Sequence, residues 1–458
     1  NSSKIYKDIF RGEFPVASRL AAFRGVVISA GEKGKGIILN VIRDQQEEHE
    51  IRSVAISLIQ ELPGSVEMKN FSAELSQLSP ADKIVLLSVL ENRRDVSALE
   101  AVRQVTSDEN VNVRNAAYEA LSVLGNASDI DVLLQAATSG KREEREIARE
   151  CLYRLQGQNV DKKILSKIET TDDAAKAELI ACIEHRMIAN TAPLLLEFAK
   201  SPNRKVRAAS YKSLTAMAEP RHFSDVIHLL KNVTTNADRT RLERTIVGVA
   251  KKFPRNTSPS DDILAALKTT KDIETKSSLI KVLGNLGEED TLPILRKMLA
   301  DENEDVQTAV IYALSDWPAP VPLSDLLDIA ESSKNEVHQI LALRGYIRLL
   351  GLESDRTIDE TIDNYLVAMK LAQNIQEKRM VLSGLSEIRS LRSFETIVKY
   401  LDHDALQPEA EVAALKLSEK ISWDYPDKAK TVLNTLVEST QNEQVRLDAQ
   451  ELLIQLNP

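Results

Sequence analysis

The sequence predicts an all-α chain folded as an α-solenoid, an α-α superhelix of about fourteen stacked helical hairpins. Three observations point there: a composition poor in strand formers, a basic residue recurring every 31 positions, and two apolar columns in register with it. Among 458 residues aromatics make up 4%, with 15 Gly and 15 Pro, too little ring and turn chemistry for a large all-β fold. The apolar fraction of 43% is too high for a disordered chain. Two cysteines cannot build a disulfide framework or a four-thiolate zinc site.

The repeat is carried by Arg52, Lys83, Arg114, Arg145, Lys176 and Arg207, spaced 31 residues apart. With short insertions the register runs on through Arg239, Lys276, Gln307, His338, Lys378, Glu411 and Arg446, and back to Arg19. Three residues after these fourteen anchors stand Ala22, Ala55, Leu86, Ala117, Ala148, Leu179 and their successors, thirteen of them apolar. Seven residues after, the column reads Val26, Ile59, Leu90, Leu121, Leu152, Ile183 and Leu214. Offsets of 3 and 7 lie on one face of a helix, so each anchor opens an amphipathic helix with one buried face.

A second amphipathic helix completes each unit. Several open with Ser-Asp, at Ser128-Asp129, Ser224-Asp225, Ser260-Asp261 and Ser324-Asp325, where a Ser cap and a first-turn Asp suit a helix start. Loops such as Asp108-Glu109-Asn110 and Asp301-Glu302-Asn303 lead into the anchored helix. One hairpin cannot bury its own apolar face, so neighbours must stack. Residues 1–16 are expected to be an N-terminal extension, and 17–458 one continuous solenoid. The period breaks near Phe253–Pro259 and Leu352–Arg356, where extra residues are expected to lie at the loop edges.

The run Leu283-Gly284-Asn285-Leu286-Gly287, then Thr291-Leu292-Pro293-Ile294-Leu295, then Asp301-Glu302-Asn303 with Val306, resembles the HEAT-repeat family. So does Asn110 to Leu124 with its Val113-Arg114 pair. The resemblance is to the short bacterial form, also called phycobilisome-lyase-like repeats, and covers about residues 17–457. It implies that the anchors form a hydrogen-bonded ladder to the acidic loops before them. It also implies that the anchored helices line a concave surface, and that the array binds macromolecules.

Other motifs have plainer readings. Gly31 to Gly36 lacks the Lys-Ser/Thr ending of a nucleotide loop and is expected to be a flexible interhelix loop. His222 and His228 lie on different helix faces, and no metal site or cofactor is indicated. Cys151 and Cys182, in the same phase of consecutive repeats, are expected to be buried free thiols. Trp317 and Trp423 each precede a Pro-containing turn and invite a carbohydrate-stacking reading. Trp317 falls in a core column and is expected to pack there, whereas Trp423 is open to either role.

Charge is uneven. The chain carries −10 overall, yet residues 200–255 hold 13 Lys and Arg against 4 Asp and Glu. The column five after each anchor, opposite the buried face, runs Glu119, Glu150, Ala181, Lys212, Arg244, Lys281 and Tyr312, from acidic to basic. Lys212, Arg244, Lys281 and Tyr312 are the candidate partner-binding residues. No nucleophile with a partnered base and no carboxylate pair is visible.

The function expected is therefore a non-catalytic interaction scaffold holding a protein or peptide, acidic in character, on the concave helix surface. The alternative is a nucleic-acid or phosphate-ligand binder using 200–255, for which HEAT-like DNA glycosylases offer a precedent but no placeable catalytic residues. A chromophore lyase is suggested only by the repeat's other name. The chain begins at Asn1 without Met and stops after a repeat helix at Pro458, so it is expected to be processed or one module of a longer protein. No stretch is apolar enough for a membrane-spanning helix.

Overall fold

A computed structural model describes residues 2–44, 46–62 and 68–456; the chain ends Asn1 and Pro458 lie outside them. Every regular element among the described residues is helical. The chain divides into two compact units, Asn1–Met217 and Ala218–Pro458. Each contains seven successive helical pairs among the described residues, and every anchor sits near the start of the second helix of a pair. The segment expected to be an extension holds helix Ser2–Arg11, which packs on Val16–Ala30 as the partner helix of the first pair. The rings of Phe10 and Phe23 lie 4.9 Å apart there.

The buried columns behave as their offsets require. Ala55, Leu86, Ala117, Leu179 and Leu242 are fully buried, as are Ile59, Leu90, Leu121, Leu152 and Leu214. Within each unit the anchored helices pack side by side, while successive partner helices touch sparingly. The anchored helices are thus the closer-packed layer.

The anchor's position follows from helix capping. Ser79, Asp172, Thr235, Asp272 and Asn303 each accept a first-turn amide as N-cap, and the anchor stands four residues later. From there a planar guanidinium folds back over the loop. Arg114 donates to Asp108 O at 2.9 Å, Arg207 to Ser201 O at 2.9 Å, and Arg239 to Val233 O at 3.1 Å, each six residues earlier. Gln307 makes the same bond to Asp301 O at 2.6 Å, so the position needs a donor more than a charge.

Two details differ from the expected ladder. Lysine anchors reach forward: Lys83 meets Asp108 at 2.7 Å and Lys276 meets Asp301 at 2.6 Å, each in the loop of the next repeat. A single ammonium lacks the fork that lets arginine span two loop carbonyls. In the helix Glu336–Leu350 the cap is Asn335, so the anchor is Gln339, which donates to Ser333 O at 2.7 Å. His338 is buried one position off and meets Thr308 Oγ1 at 2.8 Å.

The Ser-Asp openings also need correction. Asn126, not Ser128, caps its turn, and the Ser260 hydroxyl is buried inside the first turn without a partner. Asp225, Asp261 and Asp325 do occupy first turns, as the helix dipole favours. Gly31 to Gly36 is no loop: Gly31, at φ 55°, ends one helix, a 3-10 turn follows, and helix Gly34–Arg43 begins at once. The extra residues near 352 lie partly in a long partner helix, Ile358–Leu371 of 14 residues against 7 for Leu292–Met298. Trp317 is buried, Trp423 is 90% exposed, and both cysteines are free and buried. Burial pushes the Cys151 thiol up to about 12.

Candidate functional site

In the second unit the outward column of the anchored layer opens into a cleft of about 490 Å³. Helix Asn236–Ala250 contributes Thr240, Glu243, Arg244, Val247 and Gly248, and Lys251 follows at its end. Helix Ile273–Leu286 contributes Lys281, Val282 and Asn285, and Asp316 also lines the cleft. Arg244 and Lys251 are exposed, Lys281 is half-buried, and none of the three makes an ion pair among the described residues.

Gly284 shapes this place. A methyl group there would overlap the backbone of Ala313, so helix Glu304–Ser315 can approach closely only because the side chain is missing. The approach sets the Tyr312 ring 5.5 Å from the Lys281 ammonium, a cation–π contact that leaves the ring 40% exposed. Cations and an apolar contact therefore share one opening, with an aromatic face beside Lys281.

Of the four candidate residues, the structure brings Arg244 and Lys281 into this cleft and places Tyr312 beside Lys281. Lys212 belongs to the first unit, where it meets Glu184 at 3.4 Å. The basic surplus of 200–255 is partly spent on internal contacts. Lys200 pairs with Glu197, Arg221 with Glu219, Arg239 with Glu274 and Arg241 with Asp238, and Lys252 donates to Ala218 O at 2.8 Å. Lys251, Asn285 and Asp316 were not singled out by the sequence, because they stand outside the columns that the period defines.

The acidic part of the same column lines a cleft of the first unit, about 540 Å³, with Glu119, Glu146 and Glu150 beside Arg149 and Arg154. Arg149 is held by both Glu178 oxygens at 2.6 Å. Burial, with Glu119 nearby, raises the Glu91 carboxyl above its usual range. No group of three or more His, Cys, Asp or Glu able to hold a metal ion occurs among the described residues. No helix described is long and apolar enough to cross a membrane.

Residues 69–152 and 260–345 match a family model described as HEAT repeats. These two segments carry HEAT repeats. The match does not single out the lyase-like subtype. The two HEAT segments also share their ladder, Lys83 with Asp108 in one and Lys276 with Asp301 in the other. No curated protein matches the sequence. Among solved structures, the karyopherin Kap121p bound to the SUMO protease Ulp1p is similar over 98% of this chain, with a TM-score of 0.50 and 10% identity. Kap95p with RanGDP gives 0.49 and 11%, covering 98% of this chain and 71% of that one. The chain spans 56% of the Kap121p chain, and at this identity the likeness concerns the fold.

Proposed function

We propose that this HEAT-repeat chain is a non-catalytic interaction scaffold that holds a protein partner on the exposed side of its anchored helices. The observation that carries the reading is the cleft at Arg244, Lys251 and Lys281, three cations in one opening without an internal ion pair among the described residues. Anchors such as Arg114, Arg207 and Arg239 are held by the loop carbonyls before them, whereas the cations of this cleft stand together on a concave opening where a ligand can reach them. The karyopherin of similar fold is bound to a SUMO protease in its own structure, which supports a protein partner by analogy of fold alone. A nucleic-acid ligand has less support, because much of the surplus in 200–255 is neutralised internally.

Capture from a native lysate by the full chain, with and without nuclease, tests the reading. A protein retained by the wild type, insensitive to nuclease and lost from Arg244→Glu/Lys281→Glu, is the expected result. Capture that disappears with nuclease, and falls steeply with salt, would replace the protein by a polyanion.

A further inference from the structure

We infer that the cleft at Arg244 takes an extended acidic peptide segment with two carboxylates about three residues apart. The inference rests on the scaffold reading and names the ligand of that site. Arg244 and Lys251 are seven residues apart along one helix and its end, so their backbones are separated by about 10 Å along the axis. Lys281 stands on the neighbouring helix, about 8–10 Å away by ordinary helix packing. A segment in polyproline II conformation advances about 3.1 Å per residue with about three residues per turn, so carboxylates three residues apart lie on one face, about 9 Å from each other. They can therefore reach two of these cations at once.

The rest of the lining favours a peptide over a phosphate backbone. Glu243 and Asp316 share the cleft with the cations. A nucleic acid is charged at every nucleotide and would meet those two carboxylates as well. A peptide can place a neutral or basic side chain against them and keep its carboxylates for the cations. Half-buried Val247 gives the floor an apolar contact on which an intervening aliphatic side chain can rest. Beside Lys281 the exposed Tyr312 ring adds a flat apolar contact next to one carboxylate.

Anisotropy with labelled decapeptides and the full chain tests this. One probe carries two aspartates three residues apart around a leucine, a second has the same composition with the aspartates adjacent, and a third replaces both by asparagine. A twelve-nucleotide oligo-dT is the fourth. The first probe should bind at least tenfold more tightly than the second and third. Arg244→Glu/Lys281→Glu and the milder Arg244→Gln/Lys281→Gln should each weaken it tenfold or more, with unchanged circular dichroism. Equal binding of the first two probes would overturn the spacing, and tighter binding of oligo-dT would overturn the peptide. If no probe binds while lysate capture still depends on Arg244 and Lys281, this ligand is wrong and the scaffold stands.

Discussion

The two HEAT segments, 69–152 in the first unit and 260–345 in the second, solve the same structural problem with the same parts. Lys83–Asp108 and Lys276–Asp301 are equivalent pairs of nearly equal length, and Arg103–Asp129 and Arg296–Asp325 are equivalent two-pronged pairs between partner helices. They differ at the next anchor. Arg114 grips the buried Glu144 of the following repeat at 2.7 and 3.0 Å, whereas Gln307 carries no charge and the neighbouring link is Thr308 to His338. They differ again outside, with Glu119 and Glu150 in one segment and Lys281 and Tyr312 in the other. The buried columns are common to both segments; the bond that each anchor makes, the charge at the interior link and the charge on the outward column vary.

The largest expected effect should not tell the segments apart. Leu121 and Leu314 occupy the same column and are fully buried. Leu121→Ala and Leu314→Ala should each cost about 2–5 kcal/mol, measured by denaturant unfolding. Hydrogen exchange should accelerate in the mutated pair and its neighbours first. Acceleration spread evenly over all repeats would break the picture of nearest-neighbour stacking.

The second effect should separate them. Arg114→Gln copies the neutral solution of the second segment but leaves Glu144, which is 5% exposed, without its cation. Breaking such a pair costs about 3 kcal/mol. Arg114 now holds the Glu144 carboxyl below its usual range. A depressed carboxyl contributes stability that is present above its unfolded value and is lost as pH falls through the folded one. In Arg114→Gln the carboxyl keeps its bonds from Tyr118 and the Lys141 backbone but loses both effects of the guanidinium. Burial is then opposed less, and lowering pH through the carboxylate range is expected to cost this variant less than the wild type. A variant whose stability falls with acid as the wild type's does would refute the assignment. Gln307→Arg, with no buried acid to meet, should change stability little.

Most of this framework was legible in the sequence, and the misses have a common cause. The columns could be read because cap, anchor and buried positions keep fixed offsets within one helix. The period falls on His338, one residue short of Gln339, because a strict period ignores where Asn335 starts the helix. The Ser-Asp pairs misled because the chain enters those helices through a 3-10 turn or a proline, one or more residues before the serine. The cleft was half legible. Arg244 and Lys281 lie in a column, but Lys251 and Asp316 come from helix ends, and Tyr312 meets Lys281 only because Gly284 lets two helices close. Tertiary approach of that kind leaves no periodic trace.

A third, smaller effect should again be shared. Lys83 holds the Asp108 carboxyl below its ordinary range, and Lys276 does the same for Asp301. Lys83→Met and Lys276→Met should each cost about 1 kcal/mol near neutral pH. The difference from wild type should shrink as pH drops below the ordinary aspartate range, because the wild-type pair is then lost as well. A pH-independent deficit in either variant would mean that the lysine stem, not the ion pair, supports the loop.

The smallest effect on stability is expected where the segments differ most. Arg244→Glu/Lys281→Glu in the second unit and Glu119→Lys/Glu150→Lys in the first reverse outward charges of one column. Exposed charges contribute about 0–1 kcal/mol each, so the first-unit variant should melt close to wild type. The second-unit variant should lose in addition only the contact of half-buried Lys281 with Tyr312, about 0.5–1 kcal/mol. Binding should respond unequally. Reversal in the second unit removes two of the three cations that an acidic segment needs. Reversal in the first unit supplies two cations beside Arg154 but no ring, since the residue that follows Glu150 in the column is Ala181, where Tyr312 follows Lys281. The acidic decapeptide should therefore leave the first variant and gain only weak, salt-sensitive binding at the new site of the second. Full affinity transferred by charge alone would show that Tyr312 and the apolar floor are bystanders, and would reduce the second unit's cleft to its charge.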